Sequence, residues 1–163
     1  MRAAEARQLV GIAVVAACAL AMNVTSTAQA PDPLVGTWKL DVAKSTYKPG
    51  PAPKSTTVVI SAAEGKALKI AVDAEMPDGP MKWSYTNTRD GKETPVTGNP
   101  NYDAVKVTQV SPTEGTIQYM KGGKPSLSAK TSVSKDGKML TVTTTGTNAA
   151  GQAVHNVAHY TKQ

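Results

Sequence analysis

LVGTWKLD, residues 34–41, opens the part of the chain that reads as folded. Its side chains alternate, so Leu34, Trp38 and Leu40 share one face of an extended segment. Gly36 stands two residues before the tryptophan, in a run too short for a helix. A large aromatic at the head of a strand dominates whatever core it enters. Trp38 is therefore expected to plug one end of a β-structure rather than to wall a ligand site. What kind of β-structure depends on the residues that follow.

The same period of two recurs downstream. KALKIAVDAE (66–75) sets Leu68, Ile70, Val72 and Ala74 against Lys69, Asp73 and Glu75. PMKWSYTN (80–87) sets Met81, Trp83 and Tyr85 against Lys82, Ser84 and Thr86. PSLSAKTSVSK (125–135) sets Leu127, Ala129, Thr131 and Val133 against serines and lysine. Such alternation marks half-buried antiparallel strands. Further strands are expected over 55–61, 103–110, 115–121, 138–147 and 153–162, rich in Thr and Val. The inward set then includes Leu40, Val58, Ile60, Val105, Val107, Ile117, Leu140 and Val142.

Turn dipeptides cut these segments about every ten residues. Asp90-Gly91 and Asp136-Gly137 read as type I′ hairpins, and Gly122-Gly123 as a third tight turn. Tight turns join neighbours, so the pattern is a meander. An up-and-down antiparallel β-barrel of eight to ten strands removes the exposed edges that an open meander would keep. A sandwich would need longer crossovers than the sequence offers. AKSTYKPGPAPKS (43–55) carries three prolines, which preclude a proper helix; it is expected to be an arm or a lid over one barrel end.

Upstream, residues 1–30 have the plan of a signal peptide: Arg2 and Arg7, an apolar run from Leu9 to Met22, then Ala28-Gln29-Ala30 as a cleavage site. The expectation is a secreted or periplasmic protein whose residues 31–163 form a single β-barrel domain. An alternative reading takes Val15-Ala16-Ala17-Cys18 as a lipobox, with Cys18 lipidated and the protein anchored to a membrane. Apolar residues 19–22 follow Cys18 where a polar tether usually begins. Cys18 is the chain's one cysteine, so residues 31–163 hold no disulfide. The net charge of +6 falls to +5 without the leader and is spread over scattered lysines. Nucleic-acid binding calls for a clustered basic patch with arginines and aromatics, and none is expected. The barrel is expected to be monomeric.

Gly36-Thr37-Trp38 at the head of such a meander resembles the G-x-W signature of the calycin superfamily. GTWKL is similar to the start of the fatty-acid-binding proteins, although those carry a helix-turn-helix where this chain has its proline-rich arm. The wider run of GTWKLDVAKSTYKPGPAPKS (36–55), PVTGNPNYDAV (95–105) and DGKMLTVTTTGTNAAGQAVHNVAHY (136–160) resembles small bacterial secreted lipocalin-like proteins of uncharacterised function. The resemblance implies a lipocalin-type barrel and brings no established chemistry with it.

The candidate site follows from the aromatic stripe. Met81, Trp83 and Tyr85 on one strand face, with Tyr119 on another, either line an apolar ligand cavity or fill it. His155 and His159 stand four apart on a strand, about 13 Å at ~3.3 Å per residue, too far to share one metal ion. No Cys cluster, HExxH or G-x-S-x-G is present, so no metal, cofactor or enzymatic activity is expected. TPVTGNPNYD (94–103) reads either as a tight Asn-stabilised corner or as a recognition loop. The leading function is an exported, non-enzymatic binding protein for a small, partly apolar molecule. The alternative is a solid-core barrel that acts through its loops or edge as a protein-interaction or inhibitor-like module.

Overall fold

The computed structural model describes residues 31–148 and 150–163. The leader and Cys18 lie outside the described residues. Ten strands alternate with short turns: β1 (Gly36–Leu40), β2 (Ser55–Ala62), β3 (Leu68–Met76), β4 (Gly79–Asn87), β5 (Asp90–Pro95), β6 (Ala104–Gln109), β7 (Glu114–Lys121), β8 (Lys124–Val133), β9 (Met139–Thr147) and β10 (Ala153–Lys162). They form one antiparallel sheet in the order β4-β3-β2-β1-β10-β9-β8-β7-β6-β5. All pairs but one are sequence neighbours, as a meander requires. The exception is β1 with β10, where Trp38 faces Lys162 and Leu40 faces Tyr160.

That order leaves β4 and β5 as the two sheet edges, and the edges meet. Ser84 N–H donates to the Thr97 carbonyl at 2.9 Å, and Thr97 N–H donates back to the Ser84 carbonyl at 3.0 Å. The sheet is thereby a nearly closed barrel. The close approach depends on Gly98, whose φ is +90° and whose missing Cβ would lie 2.3 Å from the Lys82 carbonyl oxygen. Alternation then sorts the residues: Leu68, Ile70, Val72 and Ala74 are buried while Lys69 and Asp73 are exposed. The aliphatic positions expected to face inward lie in or against one core, whereas Met81 does not.

One end of the barrel is plugged. Trp38 is 0% exposed, and its indole Nε1–H donates to the Leu34 carbonyl at 2.8 Å. The Lys162 ammonium sits 5.0 Å from the ring centroid and donates to the Pro33 carbonyl at 3.0 Å. A cation over an indole face is attractive. Gly36 takes a φ of +146°, which favours glycine, and a Cβ there would also push against the Lys162 side chain at 2.5 Å. Arg89 and Asp32 pair at 2.6 Å, tying the N-terminal turn to the β4–β5 connection. The plug expected of Trp38 is what the structure contains.

Several local readings change. Asp90-Gly91 is not a hairpin turn, because β4 and β5 are not paired along their length. The Asn87 side-chain carbonyl accepts the Arg89 N–H, Arg89 takes a φ of +58°, and Asp90 begins a strand the alternation does not show. At Asp136-Gly137 only the glycine has positive φ. The Asp136 carboxylate instead accepts from Ser134 and from the Lys138 N–H, holding a wider loop. Gly122-Gly123 is the expected tight turn, with both φ values positive. The proline-rich segment is an arm, not a lid. After a 3-10 turn at Val42–Lys44 it resumes pairing with β10, through Thr46 to Val157 and Lys48 to His155.

Gly98→Ala tests the closure. Left-handed strain costs about 1–3 kcal/mol, and displacing the two closing hydrogen bonds adds about 1 kcal/mol each. Gly137→Ala meets no neighbour and carries the strain alone. Urea unfolding is expected to place Gly98→Ala below Gly137→Ala by about 2 kcal/mol; equal losses would mean that the bridge contributes nothing.

Candidate functional site

The site is built from rings that the strand register turns inward. On β4, Met81 faces Ala74, Trp83 faces Val72 and Tyr85 faces Ile70, all across β3. On the opposite wall Tyr119 faces Val105 of β6. The rings meet through Tyr102, in the loop just before β6. Trp83 stacks on Tyr85 with centroids 5.8 Å apart and 12° between planes. Trp83 also meets Tyr102 edge-on at 5.3 Å and 90°. Tyr102 leans on Tyr119 at 4.6 Å and 47°. These separations fall in the range where aromatic pairs attract beyond the area they bury.

Of the four expected site residues, three belong to this cluster. Tyr85 and Tyr119 are 7% and 9% exposed, and Trp83 is half-buried against the core. Met81 stands apart at the rim, where the Asn99 side-chain amide reaches its sulfur at 3.7 Å. Alternation missed two members. Tyr160 faces Leu40 on β1 and Leu140 on β9, so the register that puts those leucines inside puts Tyr160 there too. Tyr102 lies outside any alternating run, and no sequence signal marks it.

TPVTGNPNYD is the device that delivers Tyr102. Val96 N–H donates to the Asp103 carbonyl, and Asp103 N–H to the Met120 carbonyl. The Asn99 side chain accepts the Asn101 N–H at 2.8 Å, the local bond of an Asx turn. Lys121 Nζ donates to the Pro100 carbonyl at 3.0 Å. The corner reading of this loop therefore holds, and the corner also closes the barrel and aims a ring into it.

The electrostatics of the interior are those of neutral phenols. Burial pushes Tyr85, Tyr102, Tyr119 and Tyr160 far above the ordinary phenol range, and raises Tyr47 of the arm as well. The buried polar side-chain atoms without a partner lie elsewhere: they are Asn87 Nδ2 and Arg89 Nε and Nη1, and no tyrosine hydroxyl is among them. Trp83, Tyr102, Tyr160, Val58, Ile117, Leu127 and Val142 point inward and yet remain half-buried. They pack against the core while keeping part of their surface exposed.

His155 and His159 lie on the outer face of β10, with His159 Nδ1 3.2 Å from the Thr141 hydroxyl. Among the described residues no three His, Cys, Asp or Glu side chains are grouped for a metal ion. Two half-open grooves, about 550 and 470 Å³, run along the outside of β6–β9. They are lined mostly by Thr, Ser and Lys side chains and contain none of the rings.

No family model and no curated protein matches the chain. Eleven solved chains match by structure. One is zebrafish ileal bile acid-binding protein complexed with cholic acid, at 17% identity and a TM-score of 0.52, over 80% of this chain and 99% of that one. Rv2717c from M. tuberculosis aligns at 16% identity and a TM-score of 0.49, over 80% and 93%. The siderocalin Ex-FABP aligns at 14% and 0.38, over 80% and 74%. The first likeness, at its level of identity, speaks for the fold alone: an all-β, ten-stranded barrel of calycin type.

Proposed function

We propose that this protein is an exported, non-enzymatic binding protein that holds a small, partly apolar molecule inside its barrel. The observation that carries the reading is the connected ring cluster Tyr85–Trp83–Tyr102–Tyr119, in which Trp83 and Tyr102 are half-buried. Aromatic walls with a few polar tips are what small-molecule sites are made of. Support from the fold is coarser: a structural neighbour of the same architecture holds cholic acid. The likeness of the sequence to small secreted lipocalin-like proteins agrees with both.

The alternative role, as a protein-interaction module, would use the loops, the edge or the outer face of β6–β9. The outer grooves carry no aromatic anchor, and interaction hot spots are enriched in Trp, Tyr and Arg. The interior is the better-equipped surface.

Trp83 reports on its own site. Titration with a neutral polycyclic dye is expected to change tryptophan emission, and Trp83→Leu to weaken binding about tenfold, or 1.4 kcal/mol. An unchanged affinity in that variant would move the ligand away from the rings.

Export makes a separate expectation. Protein recovered from its native cells should have the mass of residues 31–163, beginning at Pro31. A chain beginning at a diacylglyceryl Cys18 would establish the anchored form instead, and an intact leader would count against export.

The interior also sets the response to alkali. The phenols' folded pKa values lie above the ordinary value of 10, so their contribution to stability is complete below that pH. It is lost as pH rises above 10, because the unfolded chain releases those protons first. Absorbance at 295 nm should therefore rise later than for free tyrosine and together with loss of the β-sheet circular dichroism. Five phenols titrating near pH 10 in an intact fold would contradict the buried cluster.

A further inference from the structure

Three buried side-chain nitrogens find no acceptor among the described residues: Asn87 Nδ2, Arg89 Nε and Arg89 Nη1. All three belong to the connection from β4 to β5. Asn87 is 5% exposed and stands opposite the core residue Leu68. It has the parity of Trp83 and Tyr85, which puts its side chain on the inner face. Its Oδ1 is already taken by the Arg89 N–H. The Arg89 side chain, 12% exposed, gives only Nη2 to Asp32, at 2.6 Å. Asp32 is itself held in place, since its Oδ1 accepts the Leu34 N–H at 3.0 Å.

The turn does not explain these donors. Arg89 takes a φ of +58°, which glycine adopts without strain and arginine does not. The position is therefore held for its side chain, and the pair with Asp32 accounts for one nitrogen of three. A buried donor without an acceptor weakens a fold, and a charged one weakens it more. Charge indicates the acceptor that fits. Arg89 and Lys162 reach the same N-terminal turn, one through the Asp32 carboxylate and the other through the Pro33 carbonyl. Two cations thus meet one carboxylate, a balance that one further negative charge completes. A carboxylate brings that charge on two oxygens that only accept, matching nitrogens that only donate.

Resting on the binding reading above, we propose that Asn87 and Arg89 form a carboxylate subsite at the plugged end of the barrel, and that the molecule held is an aromatic monocarboxylic acid. At ~3.3 Å per residue, Tyr85 and Trp83 stand about 7 and 13 Å along β4 from Asn87. An acid group on a short tail reaches the subsite while its ring system meets the two side chains. Their stacked faces, with Tyr102 edge-on to Trp83, suit a planar ring better than a saturated chain. The rings supply contact area, and the turn fixes which end of the ligand goes in first.

Two probes with one skeleton test the subsite: 1-naphthaleneacetic acid and 1-naphthaleneacetamide, read by tryptophan emission at 0.15 M and at 1 M salt. The acid is expected to bind about tenfold more tightly than the amide, with most of that preference kept at the higher salt. Equal affinities, or no binding of the acid, overturn the inference. The binding reading survives that result as long as the neutral polycyclic dye still changes tryptophan emission, and falls if the dye does not.

Two variants assign the preference to its residues. Asp32→Asn with Arg89→Gln removes one charge of each sign, so the net charge of the protein stays as it was. Asn87→Asp keeps an acceptor for the Arg89 N–H and replaces the free donor by a negative charge. In both, the ratio of acid to amide affinity is expected to fall to about one. A preference retained by either variant, in protein with the parent's β-sheet circular dichroism, overturns the assignment to Asn87 and Arg89. Unfolding of one variant leaves the other to decide.

Discussion

The barrel depends on a closure made by two backbone hydrogen bonds between Ser84 and Thr97. Every other neighbour in the ten-stranded sheet is held by a ladder of several residues. At this seam the two edge strands touch once, and the touch is possible because Gly98 lets one backbone lie against the Lys82 carbonyl. Without the seam the meander would be an open, strongly curved sheet with two bare edges, a form prone to pairing with other chains. The loop that makes it, residues 96–103, also carries Tyr102 across to Trp83 and Tyr119. Closure and ring cluster are thus one event: aligning the seam aligns the rings.

The two ends of the barrel are built on opposite principles. At the plugged end every polar group of the Trp38 cluster has a stated partner: indole to Leu34, ammonium to Pro33, and the aliphatic part of Lys162 over Gly36. Trp38 is sealed, and its contribution is stability. Beyond it Tyr85 and Tyr119 are buried, while Trp83, Tyr102 and Tyr160 are half-buried. Rings of similar size therefore play different parts, decided by how completely the chain covers them.

Most of the wall was legible in the sequence, because a strand with one dry face must alternate. Leu68-Ile70-Val72 and Leu127-Ala129-Val133 could be sorted into inner and outer faces without a structure. β5 was not legible: its buried face is thin, a bulge falls between Asp90 and Glu93, and its first two residues imitate a hairpin turn. That imitation fails because Asp-Gly marks a turn only where the flanking strands pair, and β4 and β5 are the edges of the sheet. Tyr160 was legible in principle, since its parity with Ala158 opposes that of the two histidines. Tyr102 was not, for a ring held by a corner loop has no period to betray it. The expected site was accordingly three of the four linked rings, with Met81 included for its parity though it ends at the rim.

The absence of phenylalanine joins composition to function. A barrel core needs bulk, and it can take bulk from aliphatics, as Leu, Ile and Val do on most of these strands. Where this chain uses rings, it uses those with a polar atom in every case. Trp38 spends its polar atom on the Leu34 carbonyl and is closed off from solvent. The polar atoms that the barrel leaves buried without a partner belong instead to Asn87 and Arg89. Buried donors without an acceptor lower the stability of the barrel, and Asn87 Nδ2 with Arg89 Nε and Nη1 are such donors.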